Sequence, residues 1–273
     1  MGKFNEILIC TDLDGTLLRE DKTISKENRE AIEYFKAEGG YFTFITGRMP
    51  YISGELCKEV GCNAPFGCFN GGGVYDHMAE KYVYLKTLPK CVVDIAETVE
   101  KNLPQVGFQF DLADRIYFCR ENDTMAIFRE ITGVPNNVKD YHLIDEPVAK
   151  VIFGTQDEAV MDKLIKLIAE HPASAEVNCI RSEFSLYDIV PQNVGKGTAL
   201  EKLAEHLSID MKKTIAVGDY NNDISMIKAA GVGVAVANAV ESLKDVADYI
   251  TVSNEEHAIA KIISDIEEGR LKI

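Results

Sequence analysis

The stretch that decides the fold is ILICTDLDGT, residues 7–16, near the start of the 273-residue sequence. Its first part, Ile7–Cys10, is a short continuous run of apolar side chains that leads into the polar sequence Thr11–Gly15. A run without polar alternation predicts a strand buried on both faces, which is typical of a central strand in a parallel sheet. The segment therefore predicts a parallel sheet with carboxylates at the carboxyl end of one inner strand.

The same strand–helix pattern recurs outward from this segment. Ser25 is predicted to cap a helix that runs to about Glu38, and Tyr41–Ile45 is predicted to form the second strand. The pattern returns late in the chain, with a strand at Thr214–Val217 and a helix at Asn222–Ala230. Alternating strands and helices at both ends predict an α/β fold with one doubly wound parallel sheet.

The middle of the chain interrupts this pattern. Short apolar runs, among them Val106–Phe110 and Ile116–Phe118, follow one another at spacings that favour antiparallel pairing. We interpret this region as an α+β cap domain inserted into the core. The predicted boundaries are residues 1–81 and 191–273 for the discontinuous core and residues 82–190 for the cap.

Charge and hydropathy exclude several classes of protein. With 29 basic and 44 acidic residues, the chain has a formal net charge of −15. Such a surface repels nucleic acid, so no nucleic-acid partner is expected. No apolar run approaches the roughly 18–20 residues that span a bilayer, and the first residues lack a secretory segment. We therefore expect a cytoplasmic protein without a membrane partner, either a monomer or a homodimer.

Chemically useful side chains cluster at the predicted strand ends and helix starts. They are Asp12 and Asp14 after the first strand, Thr46 and Gly47 after the second, Lys196 at the helix that follows the cap, and Asp219, Asn222 and Asp223 after a later strand. In a doubly wound sheet these ends meet at one edge, where ligands bind. Crowded carboxylates repel one another, and an all-oxygen ligand set suits Mg²⁺. The sequence thus predicts a magnesium site that can attract phosphate despite the acidic surface.

The same cluster contains the groups that phosphate ester hydrolysis requires. The uncatalysed reaction can need an acceleration of up to ~10²¹-fold, of which general acid–base catalysis contributes about 10²–10⁴. The rest requires positioning, charge neutralisation and a covalent intermediate. One carboxylate can attack and another can protonate the leaving oxygen, while Lys196 and Mg²⁺ neutralise the phosphoryl oxygens. We interpret the chain as a phosphatase whose partner is a small phosphorylated metabolite.

The order of these motifs resembles that of the haloacid-dehalogenase-like hydrolases. The resemblance rests on Asp12-x-Asp14-Gly15-Thr16-Leu17, Thr46-Gly47-Arg48, Lys196 and Gly218-Asp219-x-x-Asn222-Asp223. Phe69-Asn70-Gly71-Gly72 before the cap and Ala237-Asn238-Ala239 late in the core are similar to the Cof-type (IIB) subfamily. The resemblance covers residues 7 to about 240 and implies a Rossmann-like core with a cap that sets substrate specificity.

The resemblance also implies the catalytic roles. Asp12 is expected to be the nucleophile and a metal ligand, and Asp14 the acid–base residue, whose backbone carbonyl binds the metal. Lys196 is expected to steady the phosphoryl group and Asp12. Asp219 completes the metal site, and Asp223 supports that site from behind its direct ligands. An acid at position 14 favours a phosphatase over the dehalogenases and ATP-driven pumps of the family, which lack it.

The remaining site residues are expected to contact substrate. The resemblance places Thr46, Gly47 and Asn222 at the phosphate and Asn238 on the substrate side. Two alternatives stay open, a phosphohexose mutase, which a bisphosphate requirement would favour, and a non-catalytic protein that binds phosphorylated ligands. The sequence does not identify the substrate. Aromatic and basic cap residues such as Phe110, Tyr117, Phe118 and Arg181 are interpreted as core or solvated surface.

Overall fold

The structure is a computed structural model that describes residues 2–273, which divide into two compact units. The first unit contains the chain up to Arg48, Ser53–Tyr84 and Gly195–Ile273, and the second contains Met49–Ile52 and Leu85–Val194. The unit boundaries at Tyr84 and Val194 fall three and four residues after the domain boundaries expected at 81 and 190. The strand Lys81–Leu85 contains both the expected and the observed position of the first boundary.

Thirteen strands and nine α-helices are found in the described residues. The strands are β1 (Leu8–Thr11), β2 (Tyr41–Phe44), β3 (Phe66–Cys68), β4 (Gly73–Asp76), β5 (Lys81–Leu85), β6 (Gly107–Leu112), β7 (Ile116–Arg120), β8 (Val148–Gly154), β9 (Val177–Glu183), β10 (Leu186–Pro191), β11 (Thr214–Gly218), β12 (Val232–Ala235) and β13 (Tyr249–Ile250). The helices are α1 (Lys26–Ala37), α2 (Pro50–Val60), α3 (Val92–Asn102), α4 (Asp123–Thr132), α5 (Glu158–Ala169), α6 (Lys196–Leu207), α7 (Ile224–Ala229), α8 (Glu241–Lys244) and α9 (Ala258–Glu267).

The first unit is built on a parallel sheet with strand order β13-β12-β11-β1-β2. All four residues of β1 are completely buried, which confirms the central position predicted from the apolar run. Thr11, the last residue of β1, pairs with Val217 of β11 and with Phe44 of β2. This register brings the carboxyl ends of the three strands together, and Asp12, Thr46 and Asp219 follow those ends.

Helix α1 begins where its cap residue was predicted. The Ser25 hydroxyl oxygen accepts a hydrogen bond from the Asn28 N–H at 3.2 Å, which satisfies one of the amide groups left open at a helix start. Ile32 and Phe35 are completely buried, and the Phe35 ring lies 4.9 Å from the ring of Phe4. The Asn28 side-chain oxygen Oδ1 in turn accepts a hydrogen bond from the Ala260 N–H at the start of α9.

A second sheet of the first unit, β3-β4-β5, was not expected from the sequence. β3 turns back into β4, with Cys68 opposite Gly73, and touches the parallel sheet through a bridge from Gly67 to Ile45. Within the turn Gly71 has φ +95°, and a Cβ there would lie 1.9 Å from the Gly195 carbonyl oxygen. Glycine at position 71 therefore allows the turn to pack directly against the start of α6.

The second unit contains an antiparallel sheet of order β7-β6-β8-β10-β9. Alternate residues of its strands, including Phe108, Phe110 and Phe153, belong to a hydrophobic core that also takes in side chains of α3 and α5. Phe110 and Phe118 are buried, as interpreted from the sequence. The intervening positions carry the buried polar residues Gln109, Asp111, Lys150 and Asp188.

No helix within residues 2–273 is both long enough and apolar enough to cross a bilayer.

Candidate active site

The candidate site is assembled around the end of β1. The Asp12 N–H donates to the Val217 carbonyl oxygen at 2.8 Å, which continues the pairing of β1 with β11 by one residue. Asp12 is 8% exposed, so its carboxylate lies almost wholly within the protein. Because β1 lies between β11 and β2, the residues after all three strands can reach this carboxylate.

Lys196 joins two carboxylates in this buried region. Its Nζ lies 2.7 Å from Asp12 Oδ1 and 2.6 Å from Asp223 Oδ1. Burial alone would lower the pKa of Lys196, but Asp12 and Asp223 outweigh it and hold the pKa above its usual range. The lysine is therefore a permanent positive charge beside the predicted nucleophile.

The position of Lys196 depends on the start of α6. Gly195 is the N-cap, and Lys196 is the first residue of the helix. A lysine there opposes the helix dipole, and its almost complete burial adds a further cost. Contact with Asp12 and Asp223 offsets both costs.

Asp219 is held by its neighbours at the end of β11. The Thr16 hydroxyl donates to Asp219 Oδ1 at 2.6 Å. Gly15 has φ +78°, and a Cβ at this position would come within 2.6 Å of Asp219 Oδ2. Burial and the nearby Asp223 raise the pKa of Asp219 to about 6, although the Thr16 hydrogen bond opposes the shift. Gly15 and Thr16 thus make room for this carboxylate and orient it.

Asp223 organises the loop that carries Asp219. Its Oδ2 accepts hydrogen bonds from the N–H groups of Asp219 at 3.0 Å and Tyr220 at 3.1 Å. Its Oδ1 contacts Lys196. Since both oxygens already have partners, the geometry favours a supporting role for Asp223 and leaves Asp12 and Asp219 with oxygens that could bind a metal.

The donor set fits a hard cation. Asp12, Asp219 and Asp223 each offer one oxygen, and these atoms lie within 4.8 Å of one another. Burial raises the pKa of Asp12, the neighbouring Asp223 and Asp219 add to the shift, and Lys196 opposes it. A divalent cation relieves such repulsion, and carboxylates without nearby His or Cys ligands are the preferred set for Mg²⁺.

Asp14 is turned toward two basic residues instead. Its oxygens accept hydrogen bonds from Arg48 at 2.8 and 2.9 Å, and Lys22 lies 2.8 Å from Oδ1. Burial would raise the pKa of Asp14, but Arg48 and Lys22 together hold it below its usual range. The side chain is 37% exposed and is an ionised base in this arrangement. The expected metal contact of its backbone carbonyl stays a prediction.

Thr46 and Gly47 follow strand β2 and lie beside a buried asparagine, Asn70. Thr46 is buried, and its hydroxyl oxygen accepts from the Arg48 N–H at 3.3 Å. A Cβ on Gly47 would lie 2.9 Å from Asn70 Oδ1. Asn70 is fully buried in the left-handed conformation, with φ 52° and ψ 34°, and its N–H donates to the Thr46 carbonyl oxygen.

Asn222 faces the same asparagine. Its Nδ2 donates to Asn70 Oδ1 at 3.3 Å, while its buried Oδ1 accepts no hydrogen bond from residues 2–273. A phosphate oxygen needs a donor, and the Asn222 amide has two N–H groups, so it could donate one to phosphate while the other contacts Asn70. Phosphate binding by Thr46, Gly47 and Asn222 stays a prediction.

The side-chain amide of Asn238 forms hydrogen bonds to the backbone through both its nitrogen and its oxygen. Its Nδ2 donates to the Gly15 carbonyl oxygen at 2.8 Å, and its Oδ1 accepts from the Asn254 N–H at 3.0 Å. The geometry therefore favours a role in holding the loop after β1. Substrate contact by Asn238, as expected from the sequence, stays a prediction.

Three contacts of the site were missed by sequence reasoning. They are the hydrogen bond of Thr16 to Asp219, the ion pair of Lys22 with Asp14, and the link between Asn70 and Asn222. Thr16 and Asn70 belong to quoted motifs, so their motif membership was an available signal. Lys22 belongs to none, and no pattern in the sequence indicates it.

Comparison with known proteins places this geometry in a family. The family profile described as haloacid dehalogenase-like hydrolase matches residues 9–263. The chain is 28% identical over 265 residues to the 5-amino-6-(5-phospho-D-ribitylamino)uracil phosphatase YitU of Bacillus subtilis, covering 94% of this chain and 96% of that protein. These matches extend over both units of the chain.

Solved structures share the fold. A haloacid dehalogenase-like hydrolase from Bacteroides thetaiotaomicron superposes with a TM-score of 0.83 at 29% identity, covering 95% of this chain and 99% of that one. A subclass IIB sugar phosphatase superposes with a TM-score of 0.82 at 24% identity, covering 97% and 100%, which shows a common fold. The α/β fold and the family predicted from the motifs are confirmed: this chain belongs to the haloacid dehalogenase-like hydrolases.

Proposed function

We propose that this chain is a Mg²⁺-dependent phosphatase that hydrolyses small phosphorylated metabolites through an aspartyl-phosphate on Asp12. The observation that carries the proposal is the contact of Lys196 with both Asp12 and Asp223, beside Asp219, at the carboxyl ends of β1 and β11. A lysine that stays charged can neutralise the phosphoryl oxygens while Asp12 attacks.

The first half of the proposed reaction transfers the phosphoryl group to the protein. An Asp12 oxygen attacks phosphorus, and the bond from phosphorus to the leaving oxygen breaks. Asp14 in its protonated form gives a proton to that oxygen, so the product leaves as an alcohol. Because Arg48 and Lys22 stabilise the ionised form of Asp14, this carboxyl must leave them to act as the acid.

The second half regenerates the enzyme. Asp14, now a carboxylate, takes a proton from water, and the water oxygen attacks the phosphorus of the aspartyl-phosphate. The bond from phosphorus to the Asp12 oxygen breaks, which releases inorganic phosphate and free Asp12. Lys196 holds Asp12 in place through both halves. When bound, Mg²⁺ would be held by Asp12 and Asp219 and would neutralise charge on the phosphoryl oxygens.

The class of substrate draws support from the named relative. YitU is a phosphatase of 5-amino-6-(5-phospho-D-ribitylamino)uracil, a small phosphate monoester. A small monoester also suits a chain whose net charge of −15 disfavours polyanionic partners. We also propose the cytoplasmic location and the monomeric or homodimeric state that are expected from the sequence.

The decisive experiment is a panel of phosphorylated metabolites assayed with and without Mg²⁺ on the wild type and on Asp12→Asn. The proposal requires Mg²⁺-dependent release of inorganic phosphate by the wild type and its loss in Asp12→Asn. A requirement for a bisphosphate with no net phosphate release would indicate a mutase instead. Tight binding of monoesters without turnover would indicate a non-catalytic protein.

A further inference from the structure

The segment Phe69–Gly71 has a backbone conformation that residues with a Cβ rarely adopt. Phe69 and Asn70 both have φ 52°, and Gly71 has φ +95°. Glycine adopts a positive φ without strain, whereas a phenylalanine or an asparagine is strained there. Asn70 is also completely buried. Such a conformation persists only where the surrounding contacts hold it in place.

Backbone hydrogen bonds tie this segment to the loop after β2. The Phe69 N–H donates to the Arg48 carbonyl oxygen at 3.1 Å, and the Asn70 N–H donates to the Thr46 carbonyl oxygen at 3.1 Å. The Thr46 N–H in turn donates to the Gly67 carbonyl oxygen at 3.0 Å. These three bonds use only backbone atoms, so they do not depend on the identity of the side chain at position 70.

The side chain of Asn70 contacts the loop after β11 instead. Asn222 Nδ2 donates to Asn70 Oδ1 at 3.3 Å. In the parallel sheet β1 lies between β11 and β2, so this bond joins the loops on either side of the strand end that carries Asp12. All the residues of this arrangement belong to the first unit.

The same bond decides which way the Asn222 amide faces. If its nitrogen and oxygen were exchanged, the Asn222 oxygen would lie against Asn70 Oδ1, and two acceptors repel each other. In the observed orientation the buried Asn222 Oδ1 has no donor among residues 2–273, an unfavourable arrangement that the contact with Asn70 maintains. Asn222 Nδ2 makes no other hydrogen bond to the described residues, so its second N–H can bind an anionic oxygen.

From these contacts we infer that Asn70 is a positioning residue, whose side-chain oxygen turns the Asn222 amide so that an N–H faces the phosphate group of the substrate. This inference deepens the proposed function and rests on its phosphate contact at Asn222. An amide that is already oriented loses less freedom when it binds, so it holds a phosphate oxygen more tightly. Asn70 itself takes no part in proton or phosphoryl transfer.

The test separates the side chain of Asn70 from its backbone. Asn70→Gly removes the amide but keeps the backbone hydrogen bonds and suits a positive φ, whereas Asn70→Ala removes the amide and keeps the strain. Binding of inorganic phosphate is measured by calorimetry in saturating Mg²⁺, and kcat and KM are measured with p-nitrophenyl phosphate. Each measurement is repeated in the Asn222→Ala background.

Ser208→Gly is the matched control. Ser208 has φ 57° and ψ 38°, close to the angles of Asn70, and it lies in the same unit. It is the C-cap of α6, at the end of a 12-residue helix opposite Lys196 and about 18 Å from it. Replacing it with glycine therefore relaxes the same kind of backbone strain away from the site.

We expect Asn70→Gly to raise the Kd for phosphate by roughly three- to thirtyfold, and KM in a similar proportion, with kcat within about threefold of the wild type. Asn222→Ala should raise the Kd at least as much. In that background Asn70→Gly should add no more than about a twofold change, because it acts through the missing amide. Ser208→Gly should keep the Kd within about twofold of the wild type.

Three results would overturn the inference. They are an unchanged Kd in Asn70→Gly, an equal rise in Ser208→Gly, and an undiminished effect of Asn70→Gly in the Asn222→Ala background, which would indicate a general structural role. Asn70→Ala should melt at a lower temperature than Asn70→Gly, because it keeps the strained φ. It removes the same amide, so it serves for the binding measurements if Asn70→Gly does not fold.

The two readouts separate this inference from the proposed function. If the wild type hydrolyses p-nitrophenyl phosphate but Asn70→Gly binds phosphate as tightly as the wild type, the phosphatase proposal stands and the positioning role is wrong. If the wild type binds phosphate without hydrolysing any ester, and Asn70→Gly weakens that binding, the positioning role stands and the phosphatase proposal fails. If the wild type neither binds phosphate nor hydrolyses an ester, both fail.

Discussion

Lys196 Nζ lies 2.6 Å from Asp223 Oδ1, and with side-chain exposures of 1% and 0% neither group has access to water. The lysine also contacts Asp12, so one ammonium compensates two buried carboxylates. Breaking a buried pair by removing one partner typically costs about 3–5 kcal/mol, because the other charge stays buried without compensation. The fold therefore depends on Lys196 as much as the proposed chemistry does.

Replacing Lys196 with alanine is expected to lower both activity and the free energy of unfolding. Without Mg²⁺ the loss of stability should be about 3–5 kcal/mol in urea denaturation. Saturating Mg²⁺ should restore part of it, since the cation compensates the same carboxylates. Lys202→Ala is the control, because this lysine of the same helix pairs with Glu205 in a more exposed position. An equal effect of the two substitutions would contradict the assigned role of Lys196.

Asp12→Asn keeps the shape of the side chain but removes the attacking charge. We expect kcat/KM to fall by roughly 10⁴-fold or more with folding intact. In a single turnover stopped with acid, wild-type Asp12 should carry phosphate as an acyl phosphate that hydroxylamine releases, as a covalent intermediate requires. Asp245→Asn, an exposed position of the same unit, should leave activity unchanged. A wild-type protein that carries no phosphate at any time during turnover would exclude the aspartyl-phosphate.

Magnesium affinity should depend on pH through Asp219. Its pKa is about 6, and a carboxylate must be ionised to bind a metal. Affinity should be constant well above pH 6 and fall by up to about tenfold per pH unit below it, as protons compete. Thr16→Val removes a hydrogen bond that lowers this pKa, so its curve should shift to higher pH. Calorimetric titration with Mg²⁺ from pH 5 to 8 measures both curves.

Two variants strengthen the test of the metal site. Asp219→Ala should weaken Mg²⁺ binding more than Lys196→Ala does, because Asp219 offers the metal an oxygen and Lys196 does not. Chelation should abolish activity and Mg²⁺ should restore it, with Ca²⁺ a poor substitute because of its looser coordination. Full activity in excess chelator, or equal Mg²⁺ affinity at pH 5 and pH 8, would be incompatible with this site.

The second unit should become less stable as the pH rises, because of Asp111. Burial raises the pKa of this carboxyl from 3.8 to about 6, although Lys150 opposes the shift. At low pH the group is neutral whether the chain is folded or not. Between about pH 4 and 6 the Asp111 carboxyl ionises in the unfolded chain but not in the folded one, so the free energy of unfolding falls. Above about pH 6 this loss of stability is complete and no longer changes with pH. Asp111→Asn removes this cost.

The expected gain from Asp111→Asn is up to about 3 kcal/mol at pH 7 and close to zero at pH 4. Lys150 keeps Asp188 as a partner at 3.2 Å in this variant. Urea denaturation of both proteins at the two pH values measures the difference, and Asp162→Asn on the exposed side of α5 is the control. A loss of stability at pH 7 would show that the charge on Asp111 is needed for folding.

Much of the site could be predicted because the strand ends of a parallel sheet converge. Asp12 and Asp219 follow strands recognisable from short apolar runs. The register of β1 and β11 then brings the two residues to the same edge of the sheet. Ser25 is the helix cap that was expected. These features depend on local patterns, which a single chain displays without any knowledge of its partners.

Other features could not be predicted because they depend on contacts distant in sequence. Thr16 binds Asp219 across 203 residues, and the amide of Asn238 binds Gly15 across 223. The turn at Gly71 is recognisable as a turn, but its contact with Gly195 is visible only in the folded chain. The ion pair of Lys22 with Asp14 belongs to no motif.

The sequence by itself determined which residues could carry the chemistry, because spacing along strands and helices is a local property of the backbone. Only the tertiary structure decided how these residues divide the work. It placed Lys196 between Asp12 and Asp223, turned Asp14 toward Arg48, and used both ends of the Asn238 amide on the backbone. Hydrogen bonds and charge compensation act over a few ångströms, and packing brings together groups that the chain keeps far apart.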